Sequence, residues 1–483
     1  MADEHIRALA RAFLVRSFAV LQRQHVIPAP VFHPHVQVGR DFYGPDLMGA
    51  EYEALTSALD EAYPWRFGDP LKRNHAEFSS VYAFGLVEAA IALCTRNGDY
   101  SIDSGGCAES LDELRAVLDA DGYEAVCCRI VSHARVADGG VDVDGVLFLP
   151  ADDEAARDRF IPQIRLHVPM VGIAFNREPP FAFGPPHAVL VARRRCANDE
   201  EPFAVFDSLS QRIDDVLLRL RLLQAPTLIS QYQVTGVTTR VARVHPQLVH
   251  LDLGIHQSLV KRIATVDQLA ADGVTALSGL LDEAPQREGY ATSSWTVAVR
   301  KFNDSFRPTD VFTQAIDLAT GLEAILTGEE EASEAIALRL SGRASALLAS
   351  ADEPATSVHR DVKLLYSLRS NLIHGGSLKE IKLRGIVNGV STVTSADAFG
   401  IAMAEATDRF RDILRRCIVA RLALAKAGQW AWRDAGAIEE RLADDEERAS
   451  WRSEWKGTVA ALGAGAAARP ASAPTSWLAR DDT

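Results

Sequence analysis

The sequence predicts an α+β N-terminal domain followed by an all-α helical bundle. Short strand-like runs separated by turn residues are concentrated before about residue 255. After that point, apolar residues recur at helical spacing in long segments joined by brief polar or Gly/Pro breaks. The chain of 483 residues is also too long for one ordinary domain. We therefore expect domains at 1–255 and 256–435, and then a charged peripheral helix and a disordered tail at 436–483.

Helices and strands are both expected in the N-terminal domain. Ser110, with Glu113 three residues later, is the expected N-cap of a helix at 110–120. Helical periodicity predicts the other helices at 5–24, 48–62 and 79–94. Runs rich in β-branched and apolar residues predict an antiparallel sheet with strands at 124–132, 141–149, 164–175, 188–194, 203–207 and 234–253.

The C-terminal bundle is expected to consist of long helices. Thr309-Asp310 is a suitable N-terminal cap for the helix predicted at 309–327. Leu365, Leu368 and Leu372 form an apolar stripe on another helix, and the glycines at 375–376 are typical of its end. The predicted helices lie at 256–271, 291–306, 309–327, 331–350, 355–374 and 395–427.

Composition excludes several classes of protein. The formal net charge of -14 argues against a protein that coats nucleic acid, because such binding needs clustered Lys and Arg. The six cysteines lack the spacing of zinc ligands or of a C-x-x-C pair, which predicts reduced thiols in a cytoplasmic protein. The N-terminus lacks the uncharged core of a signal peptide, and no run of about 18 apolar residues is present to span a membrane. The chain has no Walker A motif, and His33-Pro-His35 supplies two metal ligands without a third cluster, so we expect no cofactor and no metal.

The segment Arg369-Ser-Asn-Leu-Ile-His374 carries the most chemistry. Cleavage of RNA through its own 2′-hydroxyl needs a base for that hydroxyl and a cation for the phosphorane charge. His374 suits the first task, and Arg369 suits the second. Positions five apart on a helix are separated by about 140°, so these two side chains do not share a face, whereas Asn371 and His374 do. Two copies related by a twofold axis could bring their motifs together.

Residues 290–425 resemble the HEPN superfamily, and within it the Apea-like branch. The resemblance is carried, in order, by WTVAVRKFNDSF (295–306), DVFTQAIDLATGLEAIL (310–326), ALRLSGRASALL (337–348) and VKLLYSLRSNLIHGG (362–376). It implies a helical domain that commonly dimerises through the R-x4-H motif. It also implies either a metal-independent ribonuclease, of the kind used in toxin–antitoxin and anti-phage systems, or a member without catalysis. In the catalytic case, Arg369 and His374 are the reacting pair and Asn371 assists them.

A structural role for the same residues is the alternative. Arg369 would then pair with a carboxylate such as Glu323, and His374 would bond the last helical carbonyls. Arg343 and Glu323 lie on neighbouring predicted helices, and we expect them to support the site through a salt bridge rather than to react. The helical bundle would in that case be a non-catalytic module that binds nucleotide or protein.

A second constellation lies in the N-terminal domain. His187 opens one predicted strand and Asp207 lies on the next, as the base and its orienting carboxylate do in papain-like cysteine peptidases. The order of elements resembles the bacteriocin-processing type of that fold, in which Cys-Gly opens the helix at 84–93. Phe84-Gly85 stands there in this chain, so the resemblance implies a degenerate peptidase that serves as a sensor or binding domain. An active cysteine hydrolase that uses His187 and Asp207 is the second alternative.

These patterns and the HEPN resemblance together predict an endoribonuclease of a bacterial defence or toxin-type system. The helical domain would act as a homodimer on an RNA substrate without metal, and it would leave a 2′,3′-cyclic phosphate and a 5′-hydroxyl. The N-terminal domain would bind a protein or small-molecule trigger. No association with a membrane is expected.

Overall fold

The computed structural model describes most of the chain. The described residues are 2–23, 48–62, 83, 85–87, 89–91, 93–94, 101–150, 187–197, 202–226, 228–237, 260–288, 294–306, 310–327, 335–373, 380–391, 395–428, 435–471 and 475–476. Their order along the chain is helical first, then largely strand, then helical again. This agrees with the predicted succession of an α+β region and an all-α region.

The first part of the chain forms a small helical cluster. Its elements are α1 (Ala2–Arg23), α2 (Ala50–Ala62), helical residues between 83 and 94, and α3 (Gly105–Asp119). Their apolar faces bury a common hydrophobic core that includes Phe13, Leu55 and Leu86. The helices predicted at 5–24 and 48–62 are therefore confirmed to within a few residues.

Helix α3 begins earlier than predicted. Ser104 is its N-cap and accepts a hydrogen bond from the backbone N–H of Cys107 at 3.3 Å. The predicted N-cap at Ser110 is wrong, because the two glycines after Ser104 enter the helix. Ser110 lies inside α3, where its hydroxyl donates to the carbonyl oxygen of Cys107 at 2.8 Å.

An antiparallel sheet follows, as predicted. In spatial order its five strands are β3 (Val141–Val143), β4 (Val146–Pro150), β5 (His187–Ala197), β1 (Gly122–Ser132) and β6 (Ile229–Val237). Outside this sheet, β2 (Ala134–Val136) pairs in parallel with β8 (Ala264–Val266), and β7 (Val260–Lys261) pairs antiparallel with β9 (Thr475–Ser476). The strand predicted at 164–175 and most of the one predicted at 234–253 lie outside the described residues.

The strand predicted at 141–149 is wrong as a single strand, because it is the β3–β4 hairpin. Asp144 and Gly145 connect the two strands with φ values of 52° and 75°. Positive φ at both central residues defines a type I′ turn, for which Asp-Gly is a preferred sequence. Asp142 completes the turn by accepting a hydrogen bond from the N–H of Gly145 at 2.9 Å.

The strand predicted at 203–207 is also wrong, because these residues form the start of α4 (Pro202–Gln224). Val205, Leu209, Ile213 and Leu220 are buried at helical spacing in this segment. The apolar face of α4 packs on β1 and β5, and this tertiary burial outweighs the strand-like composition of its first residues.

The C-terminal part of the chain is a helical bundle. Its described helices are α5 (Gln268–Glu288), α6 (Ser294–Asp304), α7 (Val311–Leu326), α8 (Ile336–Leu348), α9 (Ala355–Ile373), α10 (Glu380–Asn388), α11 (Ser395–Lys426), α12 (Ala435–Ala443) and α13 (Asp445–Ala461). The helix predicted at 256–271 is wrong, because β7 and β8 lie in its described part and α5 begins only at Gln268. The predicted cap at Asp310 is confirmed, since its carboxylate accepts from the N–H groups of Phe312 and Thr313.

One buried cluster connects the sheet to the bundle. It extends from Ala125 on β1 to Ala467 near the C-terminal end, and it includes the apolar face of α4. Helix α13 adds the buried side chains Trp451 and Trp455, and the Trp455 indole donates to the carbonyl oxygen of Leu347 at 3.0 Å. The domain boundaries expected near 255 and 435 stay predictions.

Candidate functional site

The C-terminal end of helix α9 carries the first part of the R-x4-H motif, from Arg369 to Ile373. Leu365 and Leu368 are buried on its inner face, and Leu372 packs partly buried against the same core. The predicted apolar stripe is therefore confirmed. Helix α9 packs against α7, α8, α10 and α11, and these neighbours fix the orientation of the side chains in its last two turns.

The histidine of the motif lies outside the described residues, as do the glycines at 375–376. Helix α9 ends at Ile373, whose side chain is half exposed. The catalytic role of His374 and its distance from Arg369 therefore stay predictions. What the structure places is the arginine end of the motif.

Arg369 lies against the last turn of α7. Its Nη2 is 3.4 Å from Oε2 of Glu323, and its Nη1 donates to the hydroxyl of Tyr366 at 3.3 Å. The guanidinium carbon is 5.3 Å from the centre of the Tyr366 ring, within the range of a cation–π contact. Within the described part of the chain, the buried Nε has no hydrogen-bond acceptor. The guanidinium is therefore oriented by its neighbours, and the Arg369 side chain as a whole is 25% exposed.

Glu323 has an electrostatic reason to hold a cation. It lies in the last turn of α7, where the carbonyl end of the helix dipole disfavours a carboxylate. Its backbone carbonyl caps the helix by accepting from the N–H of Thr327 at 3.0 Å. The Arg369 side chain supplies a positive charge that offsets the effect of the dipole on the Glu323 carboxylate. The contact anticipated in the structural alternative, between Arg369 and Glu323, is therefore present.

Tyr366 is part of this arrangement and was not predicted as a site residue. Burial raises the pKa of the Tyr366 phenol and Glu323 raises it further, while Arg369 acts in the opposite direction with less effect. The phenol is therefore protonated at neutral pH. The signal that could have revealed it is its spacing, because residues three apart on a helix are neighbours on its surface.

Asn371 and Arg343 both make contacts with backbone. The Asn371 amide donates to the carbonyl oxygen one turn earlier on α9 at 2.5 Å. Arg343 is fully buried on α8, and its Nη1 donates to the carbonyl oxygen of Leu326 at 2.7 Å. This contact satisfies the end of α7, which is a structural task. The ion pair that the structure gives Glu323 is with Arg369 rather than with Arg343.

The second predicted constellation is only half in place. His187 is the first residue of β5, as predicted, and it is half-buried. Asp207 lies exposed on α4, so the prediction that it sits on a strand next to His187 is wrong. The periodic burial of α4 described above is the reason. Phe84, which stands at the position of the nucleophile in the papain-like resemblance, lies outside the described residues.

The six cysteines are buried. Burial raises the pKa of the Cys127 thiol to about 12, against the opposing effect of Arg129, and it raises the pKa of Cys417 to about 12 as well. A nucleophilic cysteine acts as a thiolate and needs access to its substrate. Cys127 and Cys417 have neither property, and the other four thiols share their burial.

A buried network of charged side chains on α11 was also missed by the sequence analysis. Asp412 accepts from Arg415 at 2.7 Å and from Arg416 at 3.0 Å, and Arg416 reaches Glu353 at 2.5 Å. Arg415 continues to the carbonyl oxygen of Leu222 at 2.9 Å, at the end of α4. The network therefore connects the bundle to α4, the helix that packs on the sheet. Its signal was the charge pattern DRFRDILRR (408–416), in which Asp and Arg recur three and four residues apart.

No family profile, no curated protein and no solved structure matches the chain. The HEPN resemblance therefore depends on the four segments that carry it. None of the helices in the described ranges has the length and apolar character needed to cross a bilayer. In the same ranges, no three His, Cys, Asp or Glu side chains are grouped as metal ligands, and His33 and His35 lie outside them.

Proposed function

We propose that the chain is a metal-independent endoribonuclease of the HEPN type, in which Arg369 and His374 act together. The observation that best supports this proposal is the set of contacts that hold Arg369, together with its partial exposure. Its guanidinium is held by Glu323 and Tyr366 at the end of α9, and a quarter of the Arg369 side chain is exposed. An arginine held in this way is suited to bind a phosphate group, because the planar guanidinium can donate to two phosphate oxygens at once.

The proposed reaction uses the RNA as its own nucleophile. His374 accepts the proton of the 2′-hydroxyl, the 2′-oxygen forms a bond to phosphorus, and the bond from phosphorus to the 5′-oxygen breaks. The 5′-oxygen that leaves then takes a proton from the imidazolium that forms when His374 accepts a proton. Arg369 stabilises the charge on the phosphorane oxygens, and Asn371 assists inside the motif. The products are a 2′,3′-cyclic phosphate and a 5′-hydroxyl.

The proposed context is a bacterial defence or toxin-type system. The enzyme would act as a homodimer, and its N-terminal domain would receive a protein or small-molecule trigger. The negative net charge favours a local site over extended nucleic-acid binding. Specificity would then come from the shape of the RNA around the cleaved bond.

The test is cleavage of single-stranded RNA by purified protein in EDTA. We expect cleavage by the wild type and at least about a hundredfold slower cleavage by Arg369→Ala and His374→Ala, because each removes a reacting group. Arg360→Ala and His359→Ala are matched controls on the same helix. Arg360 pairs with Asp361 and is largely exposed, and His359 lies 3.5 Å from the Ser341 hydroxyl, so both variants should cleave as the wild type does.

Two results would contradict the proposal. One is RNA left intact by the wild type in the presence of a range of cellular extracts that could supply the trigger. The other is equal cleavage of RNA and of the same sequence made with 2′-deoxyribose, because that substrate has no internal nucleophile. Mass analysis of the fragments should find the cyclic phosphate.

The ion pair between Arg369 and Glu323 favours a second candidate, a non-catalytic HEPN module that binds nucleotide or protein. In that case Arg369 is a structural residue, and no RNA is cleaved under any condition. Arg369→Ala would then reduce stability and ligand binding together. No such observation favours the cysteine hydrolase that uses His187 and Asp207. Labelling of a single cysteine by a thiol-reactive acyl probe would support it.

A further inference from the structure

We infer that Tyr366 is a positioning residue for the reaction, and that it holds the Arg369 guanidinium through both its hydroxyl and its ring. This inference rests on the proposed function. Tyr366 stands one turn before Arg369 on the same face of α9, so the backbone helix itself fixes their separation.

The two terminal nitrogens of Arg369 have different partners. Nη1 donates to the Tyr366 hydroxyl at 3.3 Å, and Nη2 lies 3.4 Å from the Glu323 carboxylate. The Tyr366 ring lies against the same guanidinium. A planar group held at both ends and supported on one side has little freedom to rotate. Glu323 alone would hold Arg369 by one partly exposed ion pair, which restrains an arginine weakly.

The protonation state of Tyr366 suits this role. A phenolate would pair with Arg369 and compete with an incoming phosphate for the same cation. Burial and the nearby Glu323 carboxylate raise the pKa of the phenol, so the hydroxyl is neutral over the pH range in which a histidine works. Arg369 therefore carries one carboxylate partner and one neutral partner, and it keeps the capacity to bind an anion.

The experiment compares Tyr366→Phe with Tyr366→Leu in the RNA cleavage assay. Phenylalanine keeps the ring and removes the hydroxyl, and we expect kcat to fall about tenfold from the loss of one hydrogen bond to a charged group. Leucine removes both contacts, so kcat should fall further. In both variants KM should change less than kcat, because the substrate is still bound but the cation is less well placed.

Three controls separate positioning from other roles. Tyr52→Phe on α2 is a matched substitution far along the chain from the motif and should leave kcat unchanged. The pH–rate profile of Tyr366→Phe should keep the wild-type shape, since a neutral hydroxyl that only orients Arg369 does not titrate in that range. Its melting temperature should stay close to that of the wild type.

The outcomes distinguish this inference from the proposed function. If the wild type cleaves RNA, Arg369→Ala does not, and Tyr366→Phe has the wild-type kcat, the inference is overturned and the nuclease stands. Loss of the alkaline limb of the pH profile in Tyr366→Phe would make Tyr366 an acid or base and also overturn it. A fall in kcat matched by a fall in melting temperature would assign Tyr366 to packing. If the wild type leaves RNA intact, the proposed function and this inference fail together.

Discussion

Two arginines near the end of α7 differ in what they can do. Arg343 is fully buried and donates to the Leu326 carbonyl, so its charge serves the fold. Arg369 is partly exposed and contacts the side chains of Glu323 and Tyr366. The sequence located both residues on the correct helices and predicted a supporting role for Arg343, but it expected Arg343 rather than Arg369 to pair with Glu323 in the catalytic case. Burial depends on how α7, α8 and α9 pack together, and periodicity along one helix carries no such information.

This difference predicts that the two arginines contribute unequally to stability. Arg343→Met should lower the free energy of unfolding by about 2–3 kcal/mol, because a buried carbonyl loses its charged donor. Arg369→Met should lower it by less than about 1 kcal/mol, because its ion pair is screened by solvent. Urea denaturation followed by circular dichroism measures both values. A larger loss of stability in Arg369→Met than in Arg343→Met would favour the non-catalytic module over the nuclease.

At the scale of the element, α11 shows how a helix can be predicted without its surroundings. The sequence predicted a helix at 395–427, and the structure has one at Ser395–Lys426. The sequence did not predict that Asp408, Asp412 and the arginines beside them would be buried and paired with each other. Burial alone would raise the pKa of Asp412, yet Arg416 and Arg415 outweigh it and hold that pKa well below its usual range. Burial alone would also raise the pKa of Glu353, but Arg416 and Arg409 outweigh it, so that pKa is lowered.

These two carboxyl groups predict the response of the protein to acid. Because their pKa values are lower in the folded than in the unfolded chain, the stability they contribute is present above about pH 4.5 and is lost as the pH falls below that value. Asp412→Asn should lower the free energy of unfolding by about 2–4 kcal/mol at pH 7, because it leaves buried guanidinium groups without their anion. The variant should also show a weaker dependence on pH between about pH 5 and 3.

Asp103→Asn is the matched control for this acid response. Asp103 pairs with Arg11 on the surface, with both side chains more than half exposed, so its loss should change stability by less than about 0.5 kcal/mol at any pH. Unfolding is followed by tryptophan fluorescence, because Trp451 and Trp455 are buried in the same bundle. Parallel pH curves for the wild type and Asp412→Asn would show that the network does not control acid unfolding.

At the scale of the whole molecule, the described buried apolar residues form two clusters. One cluster contains the first helices of the chain, and the other joins the sheet, α4 and the bundle. Arg415 extends the second cluster by reaching the Leu222 carbonyl on α4 and the Ala467 carbonyl near the C-terminal end. Most of the long helices could be predicted because their apolar residues recur with the helical period. That the sheet, α4 and the bundle share one core could not be predicted, because an apolar face in the sequence does not show which element will pack on it.

The proposed site also belongs to this scale, because on a regular helix Arg369 and His374 of one chain would not share a face. Arg369 is directed toward α7 by Glu323, and positions five apart on a helix are about 140° apart. A site formed with Arg369 from one subunit and His374 of the partner subunit resolves this conflict under twofold symmetry. Two inactive variants, Arg369→Ala and His374→Ala, should then recover activity when they are mixed.

In the mixed dimer one of the two sites contains both wild-type groups, and in the other both are replaced. Random exchange at equal concentrations makes half of all dimers mixed, so the rate of RNA cleavage should reach about a quarter of the wild-type rate. Native mass spectrometry of differently tagged subunits confirms that exchange has occurred, and each variant mixed with itself is the control. If mixed dimers form and cleavage does not rise above the background of either variant, each site takes both groups from a single chain, and helix α9 must depart from regular geometry before residue 374.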